Sequence, residues 1–357
     1  MTQRIPVTVL GATGTVGQKF VRLLAEHPWF EVTAVAASSA SAGRIYAEAT
    51  RWREPVPIPP VIARLTVKEC VPPSPGAIVF SALEAEVAGP IEQAFAASGA
   101  IVVTNTRTHR MDPDVPLLIP EVNEDHLSLV DCQRESRGWD GAILANPNCS
   151  TAALALALAP LHRAFTIERL FVSTMQAISG AGYPGVPSLD IVGNVIPFIA
   201  GEEEKIERES RKILGTLASG AIEPSEFSLS VHANRVPVVD GHMATVSVEF
   251  RRKTDPAQAI EALRGFRGSP RVCQLPSSPV PPIEVDERID RPQSRLDLER
   301  GGGMAVTVGR VRPCPVLDLR MVVLGHNTVR GAAGQAVQIA ELLVADGRVA
   351  RPAGRAG

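Results

Sequence analysis

Aromatic residues, surplus charge and long apolar runs are all scarce in this chain of 357 residues. Phe, Tyr and Trp make up 4% of the sequence against 45% hydrophobic residues in all, so the core must be largely aliphatic. The net charge of −2 gives no basic footprint for nucleic acid, because the arginine-rich stretches 44–53 and 288–300 alternate with acids or prolines. No apolar run reaches the length of a membrane span, and no apolar signal region precedes the first strand. We therefore expect no nucleic-acid or membrane partner and a cytoplasmic location.

Cysteine is also sparse, and its spacing argues against two common uses. The chain carries five cysteines without a Cys-x-x-Cys pair: Cys70, Cys132, Cys149, Cys273 and Cys314. This spacing indicates neither a zinc site nor a disulfide framework, and it fits a reducing compartment. We expect no metal.

One cysteine is distinguished by its surroundings, Asn146-Pro147-Asn148-Cys149-Ser150-Thr151. Residues 141–145 predict a buried strand and residues 151–159 an apolar helix, so Cys149 would lie near a helix N-terminus. The exposed N–H groups and the positive end of the helix dipole favour a thiolate there and could hold an oxyanion. A buried structural cysteine is the alternative, because free cysteine is often buried.

Strand and helix patterns alternate in the first part of the chain, as in a doubly wound parallel sheet of the Rossmann type, an α/β fold. The predicted strands are 7–10, 32–37, 77–82, 101–104, 117–119 and 142–145, and the predicted helices are 16–26 and 89–98. We assign residues 1–149 and 328–350 to this domain.

The pattern changes after Cys149, where strands become longer and alternate, which predicts a mixed or antiparallel sheet in an α+β domain over 150–327. Its predicted strands are 169–176, 227–239, 244–251, 304–312 and 317–324. We expect helices at 202–214, 256–266 and 328–345, an extended excursion at 276–303 and a disordered tail at 351–357.

The first predicted strand runs into a glycine turn that opens a helix, Gly11-Ala12-Thr13-Gly14-Thr15-Val16-Gly17. Glycines let the backbone approach a ligand, and a helix N-terminus favours an anion, so the turn predicts a pyrophosphate site. A plain tight turn is the weaker alternative.

The second strand ends without the acid that would bind the 2′-hydroxyl of NAD. It leads instead into a loop with Ser38, Ser39 and Ser41, followed by Arg44. Hydroxyls and a nearby cation accept a 2′-phosphate, so NADP is favoured, although a solvated Ser/Ala turn would look the same.

Arg235 and His242 form a second pair of candidate site residues, separated by a predicted bend that contains Pro237 and Asp240-Gly241. Arginine offers a planar fork for a carboxylate, and histidine titrates near neutrality and can act as acid or base. A surface salt bridge and a satisfied turn histidine are the alternatives.

Together these pieces resemble the aspartate-semialdehyde dehydrogenase family, and specifically its archaeal and fungal type. The resemblance extends over nearly the whole chain, through the segments 11–17, 41–43, 109–111, 147–151, 176–182, 235–238, 240–242, 290–293 and 327–334. Two positions depart from the family pattern. Ala40 stands where relatives often carry an arginine, and His326 replaces an acid.

The resemblance implies a role for each candidate residue. Cys149 would be the nucleophile, His242 the acid or base, and Gln176 would orient the substrate. Arg235 would bind the substrate carboxylate and Glu202 its amino group, with Asn148 beside them. Lys205 and Arg110 would bind the phosphate, and the cofactor would contact Ser179, Gly180 and Asn327 as well as the glycine turn.

The implied reaction is the NADPH-dependent reduction of aspartyl-4-phosphate to aspartate semialdehyde and phosphate through a thioester, in lysine, threonine and methionine biosynthesis. The implied assembly is a homodimer or homotetramer built by the second domain. A malonyl-CoA reductase is an alternative that would need no group for a substrate amine. N-acetyl-glutamyl-phosphate reductase and glyceraldehyde-phosphate dehydrogenase resemble the chain less, and a non-catalytic nucleotide-binding regulatory protein would not need both Cys149 and His242.

Overall fold

The computed structural model describes residues 3–350, and the tail predicted at 351–357 lies outside this range. The strands are β1 Ile5–Leu10, β2 Phe30–Ala37, β3 Lys68–Glu69, β4 Ile78–Ser81, β5 Ile101–Thr104, β6 Ala142–Ala145, β7 Ile167–Gln176, β8 Thr216–Ala218, β9 Ala221–Glu223, β10 Ser228–Arg235, β11 His242–Phe250, β12 Ile283–Asp286, β13 Val306–Pro313 and β14 Leu319–Gly325. The helices are α1 Thr15–Leu24, α2 Tyr46–Ala49, α3 Pro60–Ala63, α4 Ala85–Ala97, α5 Pro120–Asn123, α6 Leu129–Arg137, α7 Cys149–Phe165, α8 Ser188–Ile191, α9 Glu202–Ile213, α10 Pro256–Gly265, α11 Pro270–Cys273, α12 Ser294–Asp297 and α13 Gly334–Ala345. In the described range no helix has the length and apolar character that crossing a bilayer requires.

The first sheet is parallel throughout, in the order β3-β2-β1-β4-β5-β6. Strands β4, β5 and β6 are buried along their whole length, as expected when helices cover both faces of a sheet. The strand order reverses between β1 and β4, which is where such sheets bind ligands at their carboxyl ends. The predicted Rossmann-type fold is confirmed.

The second sheet is mixed, in the order β10-β7-β11-β14-β13-β12. The β10–β7 and β12–β13 pairs are parallel, and the three pairs between them are antiparallel. Burial alternates along β7, β10 and β11, so one face of the sheet is covered, as predicted.

Helix α7 lies between the two sheets, which explains its composition. Every residue from Ser150 to Leu161 is buried, so the helix has no solvent-facing stripe. One continuous apolar cluster joins it to Val102 of the first sheet and to Val172 and Val246 of the second. The first residue of this central helix is Cys149.

Several sequence-based boundaries are wrong for identifiable reasons. Residues 117–119 form a single bridge to Ala145 rather than a strand, because the flanking Pro116 and Pro120 lack the N–H groups that a ladder needs. Strand β10 ends at Arg235 rather than at residue 239, two residues before Pro237. The excursion predicted at 276–303 contains the short strand β12.

The helix predicted over 328–345 is also interrupted. Residues Val329–Ala333 form a wide π-type turn, and Ala332 has φ −153° and ψ −107°, outside helical values. The regular helix α13 begins only at Gly334 and packs on the first sheet through Ala336, Val337 and Ala340.

The interruption accommodates a buried ion pair. Arg330 is 0% exposed, and its guanidinium donates to both carboxylate oxygens of Glu121 at 2.7 and 3.1 Å and to the Met304 carbonyl at 2.6 Å. Gln338 donates to the same carboxylate at 2.9 Å. The pair therefore links the segment before α13 to α5.

Replacing Glu121 with Ala should be strongly destabilising, because it leaves the Arg330 charge buried without a partner. We expect a loss of about 3 to 5 kcal/mol in the free energy of unfolding, measured by urea denaturation. Glu31→Ala, which breaks the exposed pair with Arg4, is the matched control and should cost less than about 1 kcal/mol. Equal effects of the two substitutions would contradict the assigned role of the Glu121–Arg330 pair.

Candidate active site

The site is built around the junction between β6 and α7. Cys149 is the first residue of α7, and Asn148 is its N-cap, with the side-chain oxygen accepting from the N–H groups of Ser150 at 2.9 Å and Thr151 at 3.2 Å. The Asn148 side-chain nitrogen donates to Glu202 Oε1 at 2.8 Å. The cap thus fixes the start of the helix that carries the cysteine.

Helix α9 points two carboxylates at this junction. Glu202 accepts from Gln176 at 3.1 Å as well as from Asn148, and its other oxygen lies 3.4 Å from Lys205 Nζ. Glu209, two turns further along the helix, accepts the Asn148 main-chain N–H at 2.6 Å. Both carboxylates are buried.

Arg110 reaches the same junction from the loop after β5. Its guanidinium donates to Glu209 Oε1 at 2.9 Å and to the Asn105 carbonyl at 2.8 Å, and its Nε is buried without a partner in residues 3–350. The loop carbonyls of Arg110, Asp112 and Val115 all accept from Lys212 Nζ at 2.8 Å. Helix α9 therefore fixes the loop as well as the guanidinium.

Gln176, Arg235 and His242 meet at one end of the mixed sheet. Gln176 is the register partner of Arg235, while Met175 is the partner of Met243, which places His242 beside them. A Cβ on Gly180 would lie 3.0 Å from the His242 ring and 3.1 Å from the Arg235 guanidinium. Glycine at 180 therefore lets its loop lie directly on both side chains.

The backbone selects the tautomer of His242. The Ala177 N–H can only donate, and it lies 3.1 Å from Nδ1, so Nδ1 carries the lone pair and Nε2 the proton. This Nε2 is buried and has no partner among the described residues. Burial first, then the charges of Arg235 and His326, lower the pKa of His242 to about 3. The ring is therefore a neutral hydrogen-bond donor at neutral pH.

The thiol of Cys149 departs from expectation. Burial first, and then the negative charge of Glu202, raise its pKa to about 12, although Arg110, Arg235 and the Ser150 N–H act in the opposite direction. Desolvation and the charge of Glu202 therefore oppose the thiolate that the helix N-terminus was expected to favour. Fewer N–H groups are also available for the predicted oxyanion site, since those of Ser150 and Thr151 already donate to the Asn148 side chain.

The glycine turn has the geometry of an anion cradle. Gly11 has φ +69°, and a Cβ there would lie 2.4 Å from the Ala82 carbonyl oxygen. A Cβ on Gly17 would lie 2.1 Å from the Gly11 carbonyl oxygen. Gly14 caps α1 without any side-chain hydrogen bond, so no side chain competes for the first N–H groups of this ten-residue helix.

The remaining cofactor candidates lie in two places. Ser38 and Ser39 are exposed in the loop after β2, beside Ser41, and Glu69 of β3 pairs in register with Ala37 at the end of β2. No pattern in the sequence predicted an acid at this position.

Asn327 joins two loops of the second sheet. Its oxygen accepts from the Gly241 N–H at 2.8 Å, and its nitrogen donates to Ser179 Oγ at 2.7 Å. In residues 3–350 no cluster of His, Cys, Asp or Glu side chains is arranged to hold a metal ion.

Comparison with known proteins gives the family. The model described as the NAD binding domain of semialdehyde dehydrogenase matches residues 6–130, and the one described as the semialdehyde dehydrogenase dimerisation domain matches residues 158–330. An aspartate-semialdehyde dehydrogenase of Methanothermobacter thermautotrophicus is 50% identical over 343 residues, which cover 95% of this chain and 99% of that protein. The chain belongs to the aspartate-semialdehyde dehydrogenase family. The resemblance read from its motifs is confirmed.

Other members show the same likeness. An aspartate-semialdehyde dehydrogenase of Cryptococcus neoformans is 46% identical over 359 residues, covering 97% of this chain and 98% of that protein. The crystal structure of the Candida albicans enzyme with NADP has a TM-score of 0.90 at 41% identity, covering 97% of this chain and all of that one. These similar relatives are archaeal and fungal, which agrees with the type that the motifs resemble.

Two residues of the site were missed by sequence reasoning. Glu209 was taken as part of a charged helix, although its seven-residue spacing from Glu202 places both on one helical face. Gly331 was noticed only within a motif. A Cβ at 331 would lie 2.7 Å from the Cβ of Cys149, so glycine allows the turn before α13 to lie directly on Cys149.

The raised thiol pKa predicts the alkylation behaviour of Cys149. With iodoacetamide, the rate at the Cys149 peptide, followed by mass spectrometry, should rise about tenfold per pH unit from pH 7 to 9.5 without levelling near the ordinary thiol pKa of about 8.5. Glu202→Gln removes the negative charge, lowers the pKa and should speed alkylation at pH 8. Glu204→Gln, on the exposed side of α9, is the control. A plateau near pH 8.5 in the wild type would refute the assignment.

Proposed function

We propose that this chain reduces L-aspartyl-4-phosphate to L-aspartate 4-semialdehyde with NADPH, releasing phosphate, through a thioester at Cys149. The observation that carries the proposal is the charge pattern around the thiol. Two buried carboxylates, Glu202 and Glu209, and three cations, Arg110, Lys205 and Arg235, lie at this junction. Glu209 is already bound by Arg110 and the Asn148 N–H, and Glu202 with the three cations forms the reverse of a substrate with one ammonium, one carboxylate and one phosphate. The step would serve lysine, threonine and methionine biosynthesis.

Each charged residue then has a partner on the substrate. Arg235 uses one guanidinium nitrogen on the Ala177 carbonyl at 2.8 Å and leaves the rest of its fork for the carboxylate. Glu202 accepts the ammonium, and Lys205 with Arg110 accepts the phosphate. A reductase for acyl-thioesters that lack an amine would have no use for the buried charge of Glu202.

Substrate binding also prepares the nucleophile. The charge of Glu202 raises the pKa of Cys149, so a substrate ammonium beside Glu202 offsets that effect. Sγ bonds to the acyl carbon, the bond from that carbon to the phosphate oxygen breaks, and the thiol proton leaves with the hydrogen phosphate. Gln176, held by Glu202, orients the acyl group beside the sulfur.

The residues of the first sheet fit a dinucleotide. The N-terminus of α1, which has no side-chain cap, and the closely packed Gly11 and Gly17 lie where the strand order reverses. The glycine turn 11–17 would hold the pyrophosphate, Ser38, Ser39 and Ser41 the 2′-phosphate, and Ser179, Gly180 and Asn327 the nicotinamide end. Bound NADPH supplies the hydride that reduces the thioester. His242 holds a proton at Nε2 and donates a hydrogen bond through it to the substrate oxygen as negative charge develops there.

The proposal extends to the organisation of the chain. Residues 1–149 with 328–350 form the cofactor domain, and residues 150–327 form the catalytic and dimerisation domain of a homodimer or homotetramer. The family's dimerisation model, which matches residues 158–330 and so overlaps most of the second unit, supports this division. Five free cysteines support a cytoplasmic location, where thiols stay reduced.

The test is the reverse reaction: purified protein, aspartate semialdehyde, phosphate and NADP, with NADPH followed by absorbance. Cys149→Ala should abolish turnover, and Cys149→Ser should lose at least about 10³-fold in kcat, because a hydroxyl is a far weaker nucleophile. NADP binding, measured by calorimetry, should stay within about twofold. Cys132→Ala is the control and should keep full activity. A Cys149→Ala variant with most of the wild-type rate would eliminate the covalent mechanism.

Cofactor choice gives a separate prediction. With no cation at Ala40 and Glu69 beside the end of β2, the preference for NADP over NAD in kcat/KM should be modest, about 10- to 100-fold, or about 1.4 to 2.8 kcal/mol. Ala40→Arg should sharpen it, and Ser39→Asp should invert it through repulsion of the 2′-phosphate. Thr33→Asp, on the same strand but away from its carboxyl end, should leave it unchanged. If Ser39→Asp still prefers NADP, the serine loop does not hold the ribose.

A further inference from the structure

We infer that Glu209 is a positioning residue that fixes the substrate-phosphate cation Arg110 relative to the nucleophile Cys149. The inference rests on the proposed function, since it assumes that Arg110 binds the phosphate. It assigns a role to Glu209, which binds no substrate group in the proposed function.

Each carboxylate oxygen of Glu209 accepts one hydrogen bond, from a different segment of the chain. Its Oε1 accepts from Arg110 at 2.9 Å, and its Oε2 accepts from the Asn148 main-chain N–H at 2.6 Å. The side chain of Glu209 is 3% exposed and that of Arg110 is 9% exposed, so water does not screen this pair. A single carboxylate thus connects the loop after β5 to the residue that precedes Cys149.

The two partners lie on segments that are also joined nearer the strand ends, where Asn146 Nδ2 donates to Asn105 Oδ1 at 2.6 Å. Asn148 is an N-cap, and its own N–H points away from α7 and needs an acceptor outside the helix. Arg110 lies on a loop held at its base by Asn105 and along its carbonyls by Lys212. Because Glu209 and Lys212 are both on α9, the helix acts as a common support for the loop and the nucleophile.

This arrangement bears on the rate rather than on binding alone. Sγ must attack the carbon that carries the phosphate, so the distance between the phosphate cation and the thiol decides whether the bound substrate is aligned. A displacement of about 1 Å can cost about 100-fold in rate. Loss of Glu209 leaves the Arg110 charge in place but releases its position.

The experiment compares Glu209→Gln and Glu209→Asp with Glu204→Gln. Glutamine keeps one acceptor but turns an NH₂ group toward a donor, so one of the two contacts is lost; aspartate keeps the charge but is one methylene too short to reach both. In the phosphate-dependent reaction we expect kcat, per Cys149 counted by alkylation, to fall about 30- to 100-fold in Glu209→Gln and more than about 10-fold in Glu209→Asp. The phosphate KM should change less than about threefold, and Glu204→Gln should match the wild type.

Two results would overturn the inference. In one, kcat per counted Cys149 is preserved while the unfolding midpoint falls, which indicates stability alone. In the other, Glu209→Asp restores kcat or the phosphate KM rises with kcat unchanged, which indicates that only charge matters.

Hydrogen exchange separates this inference from the proposed function, since it needs no substrate. Exchange at the amide of Asn148, followed in peptides spanning 144–151, should accelerate in both Glu209 variants and not in Glu204→Gln. Unchanged protection at Asn148 would show that Glu209 does not hold the nucleophile segment. A wild-type protein without phosphate-dependent turnover, but with this exchange pattern, would reject the proposed substrate and keep the link between Glu209 and Asn148.

Discussion

Every polar group of the Asn148 side chain, together with its N–H, makes a hydrogen bond, and the site depends on this residue. It caps α7, binds Glu202 through its amide nitrogen and binds Glu209 through its backbone. The start of the central helix and the inner face of α9 are thereby held in one geometry. Because the cap uses two N–H groups at the helix start, the residue that positions Cys149 also restricts what the helix dipole can offer a reacting oxygen.

Burial and charge act differently on the two titratable groups of the site. Desolvation raises the pKa of Cys149 against the charges of Arg110 and Arg235, whereas at His242 desolvation and the charges of Arg235 and His326 lower the pKa together. Glu202 reinforces the first effect and is the group that a substrate ammonium would neutralise. A cation bound beside Glu202 would remove that contribution and lower the pKa of the thiol.

Local patterns in the sequence predict much of this. The glycine turn, the strand–helix junction at Cys149 and the mixed second sheet follow from periodicity and from glycine and proline chemistry, and they are present. Residues 117–119 have the composition of a strand, yet prolines on both sides remove the donors that pairing needs. The break at Ala332 lies in the same turn as Arg330, whose buried partner Glu121 is 209 residues away in the chain.

Electrostatic properties were the least predictable. The position of Cys149 at a helix start indicates a low pKa, but the extent of burial and the approach of Glu202 from another helix decide the outcome. The burial of Glu209 could not be predicted from the sequence for the same reason. Its helix is rich in charge, and only the packing of α9 on the β6–α7 junction distinguishes its buried face from its solvated one.

The burial of α7 on all sides has a consequence for how the chain folds. Since one apolar cluster contains this helix and both sheets, neither sheet can complete its core without it. Separately expressed halves would each expose the surface that α7 covers, and a nascent chain released before Phe165 would lack the element that closes the first sheet. The second family model begins inside α7, at residue 158, so its boundary divides an element of the shared core.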